Sequence, residues 1–185
     1  MAETGWQKGW IRVVTTLMTV AVMMMIFAFS MENAEQSDRT SGQISKAVLS
    51  VFYPEYEQLP LSDKEALYDN VQHVIRKLAH FTEYTLLGLM IRLCLESWLG
   101  YRTVKKVHLM VSGFAAGTGY ACTDELHQMA IDGRSGQWTD VLVDASGVLL
   151  GVALGTLLIR RINRKTAENA EADDRGEKNG IFQKQ

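Results

Sequence analysis

The sequence predicts an all-α polytopic membrane bundle of four transmembrane helices, with interfacial helices in the first outer segment. Three observations predict it. Apolar residues gather into runs long enough to cross a hydrocarbon core of roughly 30 Å, basic residues flank those runs on alternate sides, and small residues recur every fourth position within two of them. The averages hide this segregation: a net charge of −2 over 185 residues and a mean hydropathy of −0.03 would suit an ordinary soluble domain. Apolar residues nevertheless concentrate in the runs while charge collects in the links and the tail, which is the membrane pattern.

The elements follow in chain order. Residues 1–12 form a cytoplasmic N-terminus, and 13–31 supply the strongest span, without a single charge. A cleaved signal peptide is the rival reading of that run, since Ala28 and Ser30 offer small residues after a basic start; the run is longer than a usual signal core. Residues 32–77 are too long for a bare loop. Ile44, Val48, Val51 and Phe52 recur at helical spacing, Pro54 and Pro60 bracket a break, and Ser62 with Glu65 forms a capping-box pattern before Leu67, Val71, Val74 and Leu78. The second of these helices can run straight into the next span. Residues 78–160 form a three-helix core with spans near 78–95, 107–122 and 141–159, and the polar, mixed-charge segment 161–185 reads as a disordered cytoplasmic tail.

Orientation comes from the flanks, because cytoplasmic flanks carry the excess of Lys and Arg. Lys8 and Arg12 precede the first span, Arg102, Lys105 and Lys106 fill the link between the second and third, and Arg160, Arg161, Arg164 and Lys165 follow the fourth. Both termini are therefore placed in the cytoplasm. The opposite side receives 32–77 and the link 123–140, in which Asp124, Glu125, Asp132 and Asp140 face Arg134 alone. Localisation is accordingly a multi-pass protein of a bacterial cell membrane, with the bilayer as its first partner. Nucleic acid is not an expected partner, as no basic tract is interleaved with aromatics. Cys94 and Cys122 sit inside apolar runs without metal-ligand spacing and read as reduced thiols.

Ionisable residues within spans cost free energy, so their positions require a reason. Arg76, His80 and Glu83 share one helix face, with Lys77 and Tyr84 in the neighbouring stripe. In the third span Gly113, Gly117 and Ala121 recur every four residues and Glu125 continues the series; in the fourth, Gly147, Gly151 and Gly155 follow Asp140 and Asp144. Small-residue stripes let helix backbones approach, so these two stripes are expected to pack against each other and to gather Glu125, Asp140 and Asp144 near the outer interface. The cations available there are Arg76, Lys77, His80 and Arg134. Isolated polar residues in spans often serve only to bond helices together; it is the set, all on one side, that points to function. His127 with His80 offers two zinc-type ligands, but there is no HExxH or comparable pair, so no metal and no other cofactor is indicated.

Three ordered blocks also carry a resemblance: KLAHFTEYTLLGLM at 77–90, TDELHQMAIDGRSGQWTD at 123–140 and DVLVDASGVLLG at 140–151. In them residues 73–160 resemble the VanZ-like family of small membrane proteins. The resemblance implies a multi-pass protein whose founding relative is associated with low-level teicoplanin resistance, and it singles out His80, Glu83, Tyr84, Asp124, Glu125, His127, Gln128, Arg134, Asp140 and Asp144. Met129, Ala130, Ile131 and Asp132 depart from the more usual Phe and Pro before Gly-Arg.

Two classes of function are consistent with these residues. In the first, the outer polar cluster binds an envelope lipid or a glycopeptide, with Arg76, Tyr84, Asp124, His127, Gln128, Arg134 and Asp140 as binding residues. In the second, a membrane-embedded hydrolase or transferase acts on a lipid-linked phosphate or ester, with His80, Glu83, Glu125 and Asp144 as candidate acids, bases or nucleophiles and the arginines as an anion clamp. No P-loop, serine elbow or zinc motif supports the second.

Overall fold

The computed structural model describes residues 9–31, 34–100, 104–130 and 137–182. Five helices follow in order: α1 (Gly9–Ser30), α2 (Ala34–Phe52), α3 (Leu61–Leu99), α4 (Lys106–Gln128) and α5 (Trp138–Phe182), with a short 3-10 turn at Tyr56–Gln58 before α3. There is no strand among the described residues.

Among the described residues three helices, in α1, α3 and α5, are long and apolar enough to cross a membrane, rather than the four expected. The shortfall is α4. Its 23 residues extend about 35 Å at 1.5 Å per residue, so length is not what it lacks. Gly113, Gly117, Gly119, Ser112, Thr118 and His108 lower its apolarity, and of these Gly113 and Gly117 lie where neighbouring helices press in.

Helix direction can be read from the contacts. Lys77 meets Asp140 and His80 meets Asp144 near one end, while Arg92 reaches Thr156 near the other. Positions therefore rise together along α3 and α5, and the two helices are parallel. Parallel neighbours joined in sequence need a returning element, and α4 supplies it, with Gly113 beside Val152 and Leu95 and Gly117 beside Val148. α1 runs antiparallel to α3: Thr15 Oγ1 and Ser97 Oγ share a hydrogen bond of 3.0 Å, and Arg12 Nε donates to the Ser97 carbonyl at 3.1 Å. Near its far end, the Tyr120 hydroxyl of α4 donates to the Met23 carbonyl at 2.7 Å.

The glycine stripes do not meet each other as expected. Gly147, Gly151 and Gly155 of α5 face α3: a methyl group on Gly147 would lie 3.2 Å from Thr85 N, and one on Gly155 would lie 3.1 Å from Arg92 Cβ. Gly88 of α3 answers from the other side, against the Val148 backbone. Gly113 and Gly117 of α4 receive Val152 and Val148 side chains instead. A small-residue stripe announces close approach without naming the helix that approaches, and here α3 takes that place.

The core is polar for its size and the outside is apolar. Arg92, Glu96, Ser97, Asp124, Glu125, Asp144 and Thr156 are buried, whereas Val13, Leu17, Val20, Leu142, Leu149 and Leu157 are exposed. That inversion suits a surface facing lipid and helices bonded through their polar side chains.

α2 folds back on the first half of α3. Gln72 Nε2 donates to Ser41 Oγ at 3.1 Å, and Gly42 lies under the Tyr68 ring where a side chain would collide with its hydroxyl. As expected, the second helix of this segment runs unbroken into the next span. The capping box does not form: α3 starts after Pro60 with no side-chain cap, and Ser62 Oγ points to Asp63 at 3.2 Å. The tail also differs from expectation, since α5 stays helical to Phe182. Ala, Glu, Lys and Arg favour helix there, and the exposed pair Arg164 with Glu168, at 3.3 Å, has the spacing of one turn.

Candidate functional site

The parallel register of α3 and α5 assembles the site one turn at a time. In the first turn Lys77 Nζ lies 3.2 Å from Asp140 Oδ1, with both side chains about one-third exposed. In the next, His80 Nδ1 is 3.9 Å from Asp144 Oδ1, and the Asp144 side chain is only 2% exposed. The distance is beyond hydrogen-bond reach and within range of a charge contact when the imidazole is protonated. Arg76, Glu83 and Phe81 are half-buried around this pair, and Tyr84, a turn further in, is wholly buried.

α4 closes the third side with Asp124, Glu125 and Gln128, all buried. Gln128 Nε2 donates to Asp124 Oδ2 at 3.0 Å. Glu125 reaches across the link and accepts the backbone N–H of Gln137, one residue before α5 begins. A carboxylate there satisfies a free amide and sits at the positive end of the helix dipole, so Glu125 has a structural task besides any chemical one. His127 is turned against α1, its ring stacked on Phe27 with centroids 5.1 Å apart.

Glu83, Asp124, Glu125 and Asp140 all lie close enough to Asp144 to act on its charge. The Tyr84 hydroxyl lies beside Asp124 and Asp144; it completes no well-formed hydrogen bond among the described residues. Among the described residues no group of three His, Cys, Asp or Glu side chains is arranged to hold a metal. The structure thus gathers His80, Glu83, Tyr84, Asp124, Glu125, Asp140 and Asp144, with Lys77 and Gln128 bound to two of them. Arg134 lies outside the described residues.

A second polar centre at the opposite end went unrecognised in the sequence. Arg92 Nη2 and Glu96 Oε2 are 2.9 Å apart with both side chains 1% exposed, and Arg92 Nε donates to Thr156 Oγ1 at 3.1 Å. The signal was present as opposite charges spaced by one helical turn inside an apolar run.

Comparison with known families matches residues 15–159 to the family described as VanZ/LLP1. The match takes in α1 from residue 15 onward, which the sequence resemblance over 73–160 had left outside. No curated protein and no solved structure matches the chain.

Proposed function

The chain belongs to the VanZ/LLP1 family, and from that premise we propose that it is a four-span protein of the bacterial cell membrane whose outer polar site binds an envelope lipid or a teicoplanin-type glycopeptide. The fourth span is α4. Because α3 and α5 are parallel, whatever layer both of them cross must be crossed back by the helix between them. The flanking Lys and Arg put both termini in the cytoplasm and the Asp144 end outside.

The observation that carries the binding reading is the convergence on Asp144 of carboxylates from three helices, at the end of the bundle where headgroups would lie. Burying so many ionisable groups at one end is costly, and a bound ligand would supply compensation. The hydrolase or transferase reading needs a cationic clamp for phosphate; Lys77 is committed to Asp140 and Arg76 is also engaged within the protein, so that reading calls on Arg134.

The test is glycopeptide susceptibility in cells producing the protein at matched membrane levels, together with mass spectrometry of lipids retained on purification. The native protein is expected to raise tolerance or to retain a defined lipid. Asp144→Asn and Glu83→Gln are each expected to abolish that effect, and Glu65→Gln, outside the cluster, to preserve it. Full activity in the properly inserted Asp144 and Glu83 variants would reduce the cluster to interfacial anchoring.

A further inference from the structure

We propose that the cluster around Asp144 takes a primary ammonium group, carried by a lipid headgroup or by a free amine, and discriminates against a bare phosphate. The proposal rests on the binding reading above and narrows it to one chemistry.

The charge around the site sets the sign of the ligand. Asp144 has four other carboxylates acting on it, from Asp124, Glu125, Asp140 and Glu83. The donors in reach are already in use: Lys77 pairs with Asp140, Gln128 serves Asp124, the Gln137 amide serves Glu125, and Arg76 is engaged within the protein. His80 stands 3.9 Å from Asp144 Oδ1, and that oxygen completes no hydrogen bond among the described residues. A phosphate brought here would place acceptor against acceptor. An ammonium group brings donors and a positive charge to oxygens that need both.

Tyr84 points the same way independently. Its hydroxyl is 0% exposed, faces Asp124 and Asp144, and completes no well-formed hydrogen bond among the described residues. A phenol oxygen can accept from an ammonium N–H while its proton turns to a carboxylate. The Tyr84 and Tyr120 rings, 6.4 Å apart between centroids, add aromatic faces of the kind that attract cations. Lys77 and Asp140, one turn before His80 and Asp144, are the partly exposed edge of the cluster.

The experiment uses the full chain purified into bilayer discs holding equal amounts of phosphatidylethanolamine and phosphatidylglycerol, with retained lipid read by native mass spectrometry. Phosphatidylethanolamine should be retained over phosphatidylglycerol by about tenfold, the size expected for one charge-assisted hydrogen bond. Phosphatidylcholine, whose headgroup nitrogen has no N–H, should fall well below phosphatidylethanolamine. Asp144→Asn should remove the preference, and Tyr84→Phe, a milder change, should weaken it several-fold. Displacement by soluble ethanolamine would show that the free amine suffices; retention despite it would assign the site to the lipid headgroup. Equal or greater retention of phosphatidylglycerol by the native protein would overturn the ammonium assignment while leaving lipid binding in place. A preference untouched in both variants would also overturn it. Retention of no lipid, with no displacement or binding of ethanolamine, would remove the binding reading and this one together.

Discussion

Arg92 and Asp144 are both buried ionisable residues, yet they are held in different ways. Arg92 has a full charge partner on its own helix, Glu96 at 2.9 Å, whereas Asp144 has a distant imidazole and a crowd of like charges. The first arrangement is that of a structural lock, the second that of a site. Removing one partner from a closed pair strands the other: Glu96→Leu is expected to destabilise the protein by about 3–5 kcal/mol in detergent unfolding, and Arg92→Met combined with Glu96→Leu to recover most of the loss. Lys77→Met should cost less than about 1 kcal/mol, because its pair with Asp140 is partly exposed. The site was largely legible in the sequence because Lys77, His80, Asp140 and Asp144 stand at one-turn spacings beside small residues. His127 was less so: the sequence could set it beside His80 as a second zinc-type ligand but could not show that its ring turns to Phe27. Arg92 and Glu96 went unrecognised, since a single helix does not reveal that α5 covers Arg92.

For the helices, the outcome turned on which faces meet. The sequence marked Gly147, Gly151 and Gly155 as a contact face correctly and assigned it to the wrong neighbour, because spacing carries no information about the partner. A methyl group on Gly151 would meet the Thr85 backbone, which cannot move as a flexible side chain can. Gly151→Ala is therefore expected to cost about 1–3 kcal/mol or more and to loosen α3 from α5, as read by thermal unfolding and by a cysteine pair engineered between these helices. Gly119→Ala, on the same fold but with nothing within 4 Å of the added carbon, should be neutral or slightly stabilising, since alanine is the better helix former. The capping pattern at Ser62 and the helix beyond residue 165 were misread for related reasons. Pro60 already begins α3 without a side-chain cap, and polarity by itself does not forbid a helix rich in Ala and Glu.

Across the whole molecule, direction is the property that matters: α1 and α4 run one way, α3 and α5 the other. Reporter tags at the N-terminus and after Lys165 are expected to read cytoplasm, and tags near Asp38 and Asp132 the outside; a cytoplasmic signal from Asp132 would contradict both the topology and the outer placement of the site. Hydropathy alone could not deliver this arrangement, because α4 is made of small and polar residues suited to its neighbours. The hydrogen bond from Arg92 to Thr156 joins residues 64 positions apart, and parallel packing means that α4 must be in place before it can form. At roughly 5–20 residues per second of synthesis, Arg92 waits about 3–13 s for its partner on α5. During that interval a charged helix stands in the membrane with half its lock missing. Chains halted before Thr156 should accordingly remain with the insertion machinery or be degraded, while chains carried past it should be released.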